Sequence, residues 1–85
     1  MSRHTLERIN SILQYIAGNL DGDLSLSRVA DVACYSPFHL HRLFRAVTGE
    51  ALNAYVTRVR IERIAQALIT GKELSMAGLA VQYGF

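Results

Sequence analysis

Apolar residues recur at helical spacing through most of this chain. Leu6, Ile9, Leu13, Ile16 and Leu20 fall three or four apart, which predicts an amphipathic helix over residues 6–20. Thr5 stands where an N-cap belongs, and Asp21-Gly22-Asp23 reads as the turn that follows. Ser25 can cap a second, short helix with Leu26, Val29, Ala30 and Ala33 inward. Its small residues let a neighbouring helix come close. After the brief connection Cys34-Tyr35, Ser36 caps a third helix. Pro37 takes its first position, where a missing N–H is harmless. Gly49, after Thr48, supplies a left-handed stop. A longer helix is expected over residues 51–69, burying Leu52, Tyr55, Val59, Ile64, Ala65 and Leu68 and ending at Gly71. Ser75 then caps a fifth helix carrying Met76, Leu79 and Ala80, before Tyr83-Gly84-Phe85.

Two short helices joined by a few residues match the helix-turn-helix pattern. The pattern starts again fifty residues later: Leu24-Ser25-Leu26 lines up with Leu74-Ser75-Met76, Val29-Ala30 with Leu79-Ala80, and Tyr35 with Phe85. Both copies share a cap, a buried pair and an aromatic at the turn. The simpler alternative is that any capped short helix looks alike.

The third helix has two unlike faces. At about 100° per residue, Leu40, Leu43, Phe44 and Val47 cluster inward. Phe38, Arg42 and Arg45 fall opposite, flanked by His41 and His39. Phe38 is therefore expected to be exposed, either packed on a loop or pressed against a thymine methyl or a sugar. Arg42 is either a solvated charge or a fork for guanine O6 and N7. His41 can bond a base edge, and Arg45, one turn on, reaches towards phosphate. His39 is either a phosphate contact or half-buried packing. The N–H groups after Ser36 and Ser25, with the helix dipoles, favour a phosphate.

Charge alone is a weak signal: nine Lys and Arg against seven Asp and Glu, for a net +2. Eight of the nine are arginine, the better residue for bidentate phosphate and base contacts. Arg58, Arg60 and Arg63 on the long helix do not form one stripe, and Glu62 and Glu73 offset them. Salt bridges are the expected role there, with a phosphate contact open to one or two. At 51% hydrophobic residues the 85-residue chain is one small folded domain. One cysteine, Cys34, permits no internal disulfide, which fits a reducing cytoplasm. There is no signal-peptide run and no membrane span, so no membrane partner is expected.

Catalysis has little to stand on. His39 and His41 are two apart on a helix and point to different sides, unlike the i, i+4 pair of a zinc helix. No Gly-rich phosphate loop, nucleophile elbow or carboxylate pair is present, so neither an enzyme nor a cofactor or metal site is expected.

The run Leu24-Ser25-Leu26, Val29-Ala30, Ser36, His39-Leu40, Arg42, Phe44-Arg45, Thr48-Gly49, Tyr55, Arg60-Ile61, Ala65 and Gly84-Phe85 resembles the AraC/XylS family of bacterial transcription regulators. The resemblance covers residues 9–85. It implies an all-α fold: a homeodomain-like three-helix unit with one helix-turn-helix (residues 1–49), a linker helix (50–71) and the start of a second helix-turn-helix (74–85). It implies double-stranded DNA as partner, with recognition helix 36–48 in the major groove and RNA polymerase as a partner of the full-length protein. Phe38, His41 and Arg42 then read bases, while Ser25, Ser36, His39 and Arg45 meet phosphates. The second recognition helix would follow Phe85, so the chain is read as a fragment, with a truncated member as the alternative. Self-association through the uncovered fifth helix is a further expectation. The competing function is a helix-turn-helix scaffold that binds proteins and not DNA.

Overall fold

The computed structural model describes residues 2–69 and Val81. Among these residues there are four helices and no strand: α1 Arg3–Gly18, α2 Leu26–Ala33, α3 Pro37–Thr48 and α4 Leu52–Ile69. The expected stop at Gly71, the fifth helix from Ser75 and the second copy of the repeat lie outside the described residues. No helix among them is long and apolar enough to cross a membrane.

One core holds the helices together. α1 gives Ile9, Ile12 and Ile16, and the connection after it gives Leu20 and Leu24. Val29 and Ala30 come from α2, Leu40 and Phe44 from α3, and Leu52 and Val56 from α4. Among the described residues, none of the buried ones is polar or charged. Among the described helices α2 packs most extensively against α3.

The α1 stripe differs from expectation. Ile12 is buried, Leu13 only half-buried and Leu6 exposed. At about 100° per residue Ile12 and Leu13 flank the line through Ile9 and Ile16 equally, so the neighbouring helices and not the spacing decide that Ile12 is the buried one. The N-cap is also not Thr5. Ser2 Oγ accepts the Thr5 N–H at 3.2 Å, so α1 begins one turn earlier, in a polar stretch that apolar spacing does not mark. Its end comes at Gly18. Asn19 closes it, donating its N–H to Ile16 O and its Nδ2 to Tyr15 O, and leaves Leu20 buried in the connection.

The other caps stand where the sequence puts them. Ser25 Oγ accepts the Arg28 N–H at 3.2 Å and Ser36 Oγ the His39 N–H at 3.1 Å. Gly49 ends α3 at φ 81°. The end of α2 carries a surprise: Cys34 takes the left-handed conformation at φ 60°. Its N–H bonds Asp31 O, and the Tyr35 N–H bonds Ala30 O at 2.9 Å. This pair of reversed bonds is a Schellman stop, a place where glycine is usual.

α4 buries Leu52, Val56 and Ile64, with Tyr55 and Val59 half-buried. Ala65 and Leu68, expected inside, are exposed. Apolar residues surround α4 on most sides, so spacing could not select the inward one. Its first turns are fixed by α3, and by Arg60, which reaches back across forty residues. Arg60 Nε donates to Leu20 O at 2.9 Å and Nη2 to Gly22 O at 2.8 Å. The same connection holds Asp23, whose Oδ1 accepts the Ser25 N–H at 3.0 Å. That bond, helped by the Ser25 side chain and by Arg28 and Arg60, holds the Asp23 carboxyl below its ordinary 3.8. A depressed carboxyl stabilises the fold above its unfolded value and loses that contribution as pH falls through the folded one.

Three substitutions test this account by urea unfolding. Gly49→Ala should cost about 1–2 kcal/mol, because no atom crowds the site and only the left-handed backbone objects. Cys34→Gly should gain about 0.5–1 kcal/mol, since relief of the backbone outweighs the extra freedom of the unfolded chain. Arg60→Ala should cost roughly 1–3 kcal/mol by stripping two carbonyls of a charged donor. Equal stability of Gly49→Ala and the unsubstituted chain would contradict the assigned turn.

Candidate nucleic-acid interface

α3 is held from inside by Leu40 and Phe44, both with no exposed surface, and by half-buried Leu43 and Val47. Tyr55 of α4 meets Phe44 edge-on, with ring centroids 5.4 Å apart. With that side pinned, the rest of the helix must face outward. Phe38 is 70% exposed, which for a phenylalanine calls for a reason. Arg42 lies one turn along, its guanidinium carbon 5.7 Å from the Phe38 ring centroid. Arg45 and His39 are exposed and His41 is half-buried.

These side chains form one surface. Phe38, His39, Arg42, Leu43 and Ala46 line a shallow concavity, and His41, Arg42, Arg45 and Ala46 line the next. Arg42 and Ala46 belong to both. Ala46 was not among the residues singled out from sequence. An alanine on a helix gives no signal in the sequence that it lines such a surface. Ser36 and Ser25 stand at the N-termini of α3 and α2 with their hydroxyl oxygens used as caps.

The electrostatics separate α3 from α4. α3 contains no acidic residue. No described carboxylate lies within ion-pair distance of Arg42 or Arg45. Arg58 on α4 is the opposite case: Nη2 sits 2.6 Å from Glu50 and Nη1 2.9 Å from Glu62. Its guanidinium also lies over the Tyr55 ring at 5.2 Å. The bonds to Glu50 and Glu62 hold the Arg58 proton more tightly than usual. Arg60 is spent on the α1–α2 connection. The salt-bridge role expected on the long helix therefore fits Arg58, whereas Arg60 binds backbone carbonyls. Glu50, outside the helical pattern of α4, joins Glu62 in neutralising Arg58. The described residues include no group of three His, Cys, Asp or Glu able to hold a metal ion.

Comparison with known proteins gives a concordant picture. A helix-turn-helix domain family matches residues 29–85. The multiple antibiotic resistance protein MarA of Salmonella typhimurium is 39% identical across 100% of this chain and 68% of its own length. MarA of Escherichia coli K12 matches equally well. The right origin-binding protein of Escherichia coli K12 is 41% identical over 91% of this chain and 26% of its own length. No solved structure matches. A fold of short capped helices, a family match over residues 29–85 and relatives aligned along the whole chain converge: the chain belongs to the AraC/XylS family of bacterial helix-turn-helix, DNA-binding transcription regulators.

Proposed function

We propose that this chain binds a specific double-stranded DNA sequence by laying α3 in the major groove, with Phe38, His41 and Arg42 against base edges. The observation that carries this is the outward face of α3: an exposed aromatic, two arginines and two histidines on a helix without a carboxylate. A guanidinium with no ionic partner has donors to offer a guanine or a phosphate. Phe38 beneath Arg42 supplies an apolar surface for a thymine methyl and limits the swing of the guanidinium.

Arg45 and His39 flank the reading residues and meet phosphates in this arrangement. Ser36 and Ser25 contribute through the helix N-termini. Each capping oxygen already accepts an N–H, and its hydroxyl hydrogen remains to donate to a phosphate oxygen. Phosphate contacts set the register in which bases are read. Residues 1–49 then form the first reading unit, 50–71 the linker and 74–85 the opening of a second. RNA polymerase is the further partner that transcription regulation entails, and the bacterial cytoplasm, where DNA lies, is the place of action. No catalytic role is assigned. A protein-binding scaffold without DNA affinity is disfavoured, because such a scaffold has no need of uncompensated arginines on one face.

Duplexes selected by the full chain from a random-sequence pool provide the test. Arg42→Ala should weaken the selected duplex by about 1–3 kcal/mol and relax the preference at one base pair. Arg45→Ala should weaken all duplexes alike and reduce the slope of log affinity against log salt by about one. If Arg42→Ala and Phe38→Ala both bind the selected duplex as the unsubstituted chain does, α3 is not the reader.

A further inference from the structure

Arg8 is the one arginine of α1 that crosses to the helix-turn-helix. Its Nη2 donates to Ala33 O at 2.7 Å. Ala33 is the last residue of α2, and the Schellman bonds leave its carbonyl without a backbone donor. A cation there also sits at the negative end of the helix dipole. The guanidinium does a second thing: its carbon lies 4.2 Å from the centroid of the Tyr35 ring. Tyr35 is in the turn, and its ring meets the His39 imidazole at 4.9 Å and 75°. The contacts thus run in series from α1, through the turn, to the first turn of α3.

His39 has no other side-chain partner among the described residues, since Ser36 bonds only its backbone N–H. An exposed imidazole on a helix would otherwise sample several rotamers. Here Tyr35 restricts it, and Tyr35 is restricted in turn by Arg8. We propose that Arg8 is a positioning residue for the DNA interface, holding Tyr35 so that the His39 ring is presented to phosphate in one orientation. This rests on the reading of His39 as a phosphate contact. Arg8 touches neither base nor phosphate in this role; it acts at two removes.

The test uses the full chain in two measurements. In NMR spectra of the free protein, the Tyr35 ring current should displace the His39 ring protons from their usual positions. Arg8→Ala should move them back. Arg8→Gln loses the stacked cation and, two bonds shorter, the reach to Ala33 O, and it should behave like Arg8→Ala. A role confined to capping α2 would leave the His39 ring protons in place in both variants. Against a duplex selected from a random pool, Arg8→Gln should weaken binding about two- to fivefold, the scale of one exposed cation–π contact. In a His39→Ala background the same change should have no effect, because nothing is left to position.

An unmoved His39 spectrum in Arg8→Gln overturns the positioning role. So does an equal loss of affinity with and without His39. Should Arg42→Ala weaken selected binding while the Arg8 variants bind normally, the DNA reading stands and only the role of Arg8 fails. Should the unsubstituted chain select no duplex at all, both fail.

Discussion

A helix of twelve residues does not persist alone in water, so α3 exists because other elements take Leu40 and Phe44 out of solvent. Burying one such side chain contributes about 1.5–3 kcal/mol, more than a short helix gains from its own caps. α1, α2 and α4 all contact α3. That arrangement fixes the rotation of α3 about its axis, and the rotation decides which side chains face outward. Phe38, Arg42 and Arg45 are exposed because Phe44 is not. The reading surface is a by-product of the core, and a change that turned α3 by one residue would put a histidine ring where Leu40 sits.

The net charge of +2 conceals this organisation. Acidic residues are placed where they serve the scaffold. Glu50 and Glu62 pair with Arg58, joining α4 to the connection before it, and Glu7 pairs with Arg3 on α1. Asp23 holds the start of α2. α3 receives none. A whole-chain charge averages these two populations, whereas an approaching polyanion meets them one face at a time.

Features set by a few neighbouring residues were legible in the sequence. Ser25, Ser36, Pro37 and Gly49 act within one turn of themselves, and each stands where local chemistry puts it. Val29, Ala30, Leu40 and Phe44 were equally plain, because α2 and α3 each have one unambiguous apolar side. What escaped has distant or context-bound causes. Ser2 caps a turn with no apolar marker. Cys34 adopts a glycine-like backbone that its identity does not announce. Val56 is chosen over Ala65 by where α3 lies, not by spacing along α4. Arg60 was weighed as a cation for DNA or for a carboxylate, and its carbonyl partners on Leu20 and Gly22 are too far along the chain for any local pattern to reveal. The exposed face of α3 was read from periodicity, while Ala46 and the Arg8–Tyr35–His39 series required the packed structure.

The reach of α4 back to the first connection bears on the order of assembly. A ribosome releases the chain from the N-terminus, so residues 1–49 emerge with α3 complete in sequence. At that moment Leu52 and Val56 are missing from the core, and the carbonyls of Leu20 and Gly22 await Arg60. The reading helix is therefore synthesised before the residues that finish its support. Its fold closes only when about two and a half turns of α4 have followed, which makes α4 a brace for the helices before it as much as a bridge to what comes after.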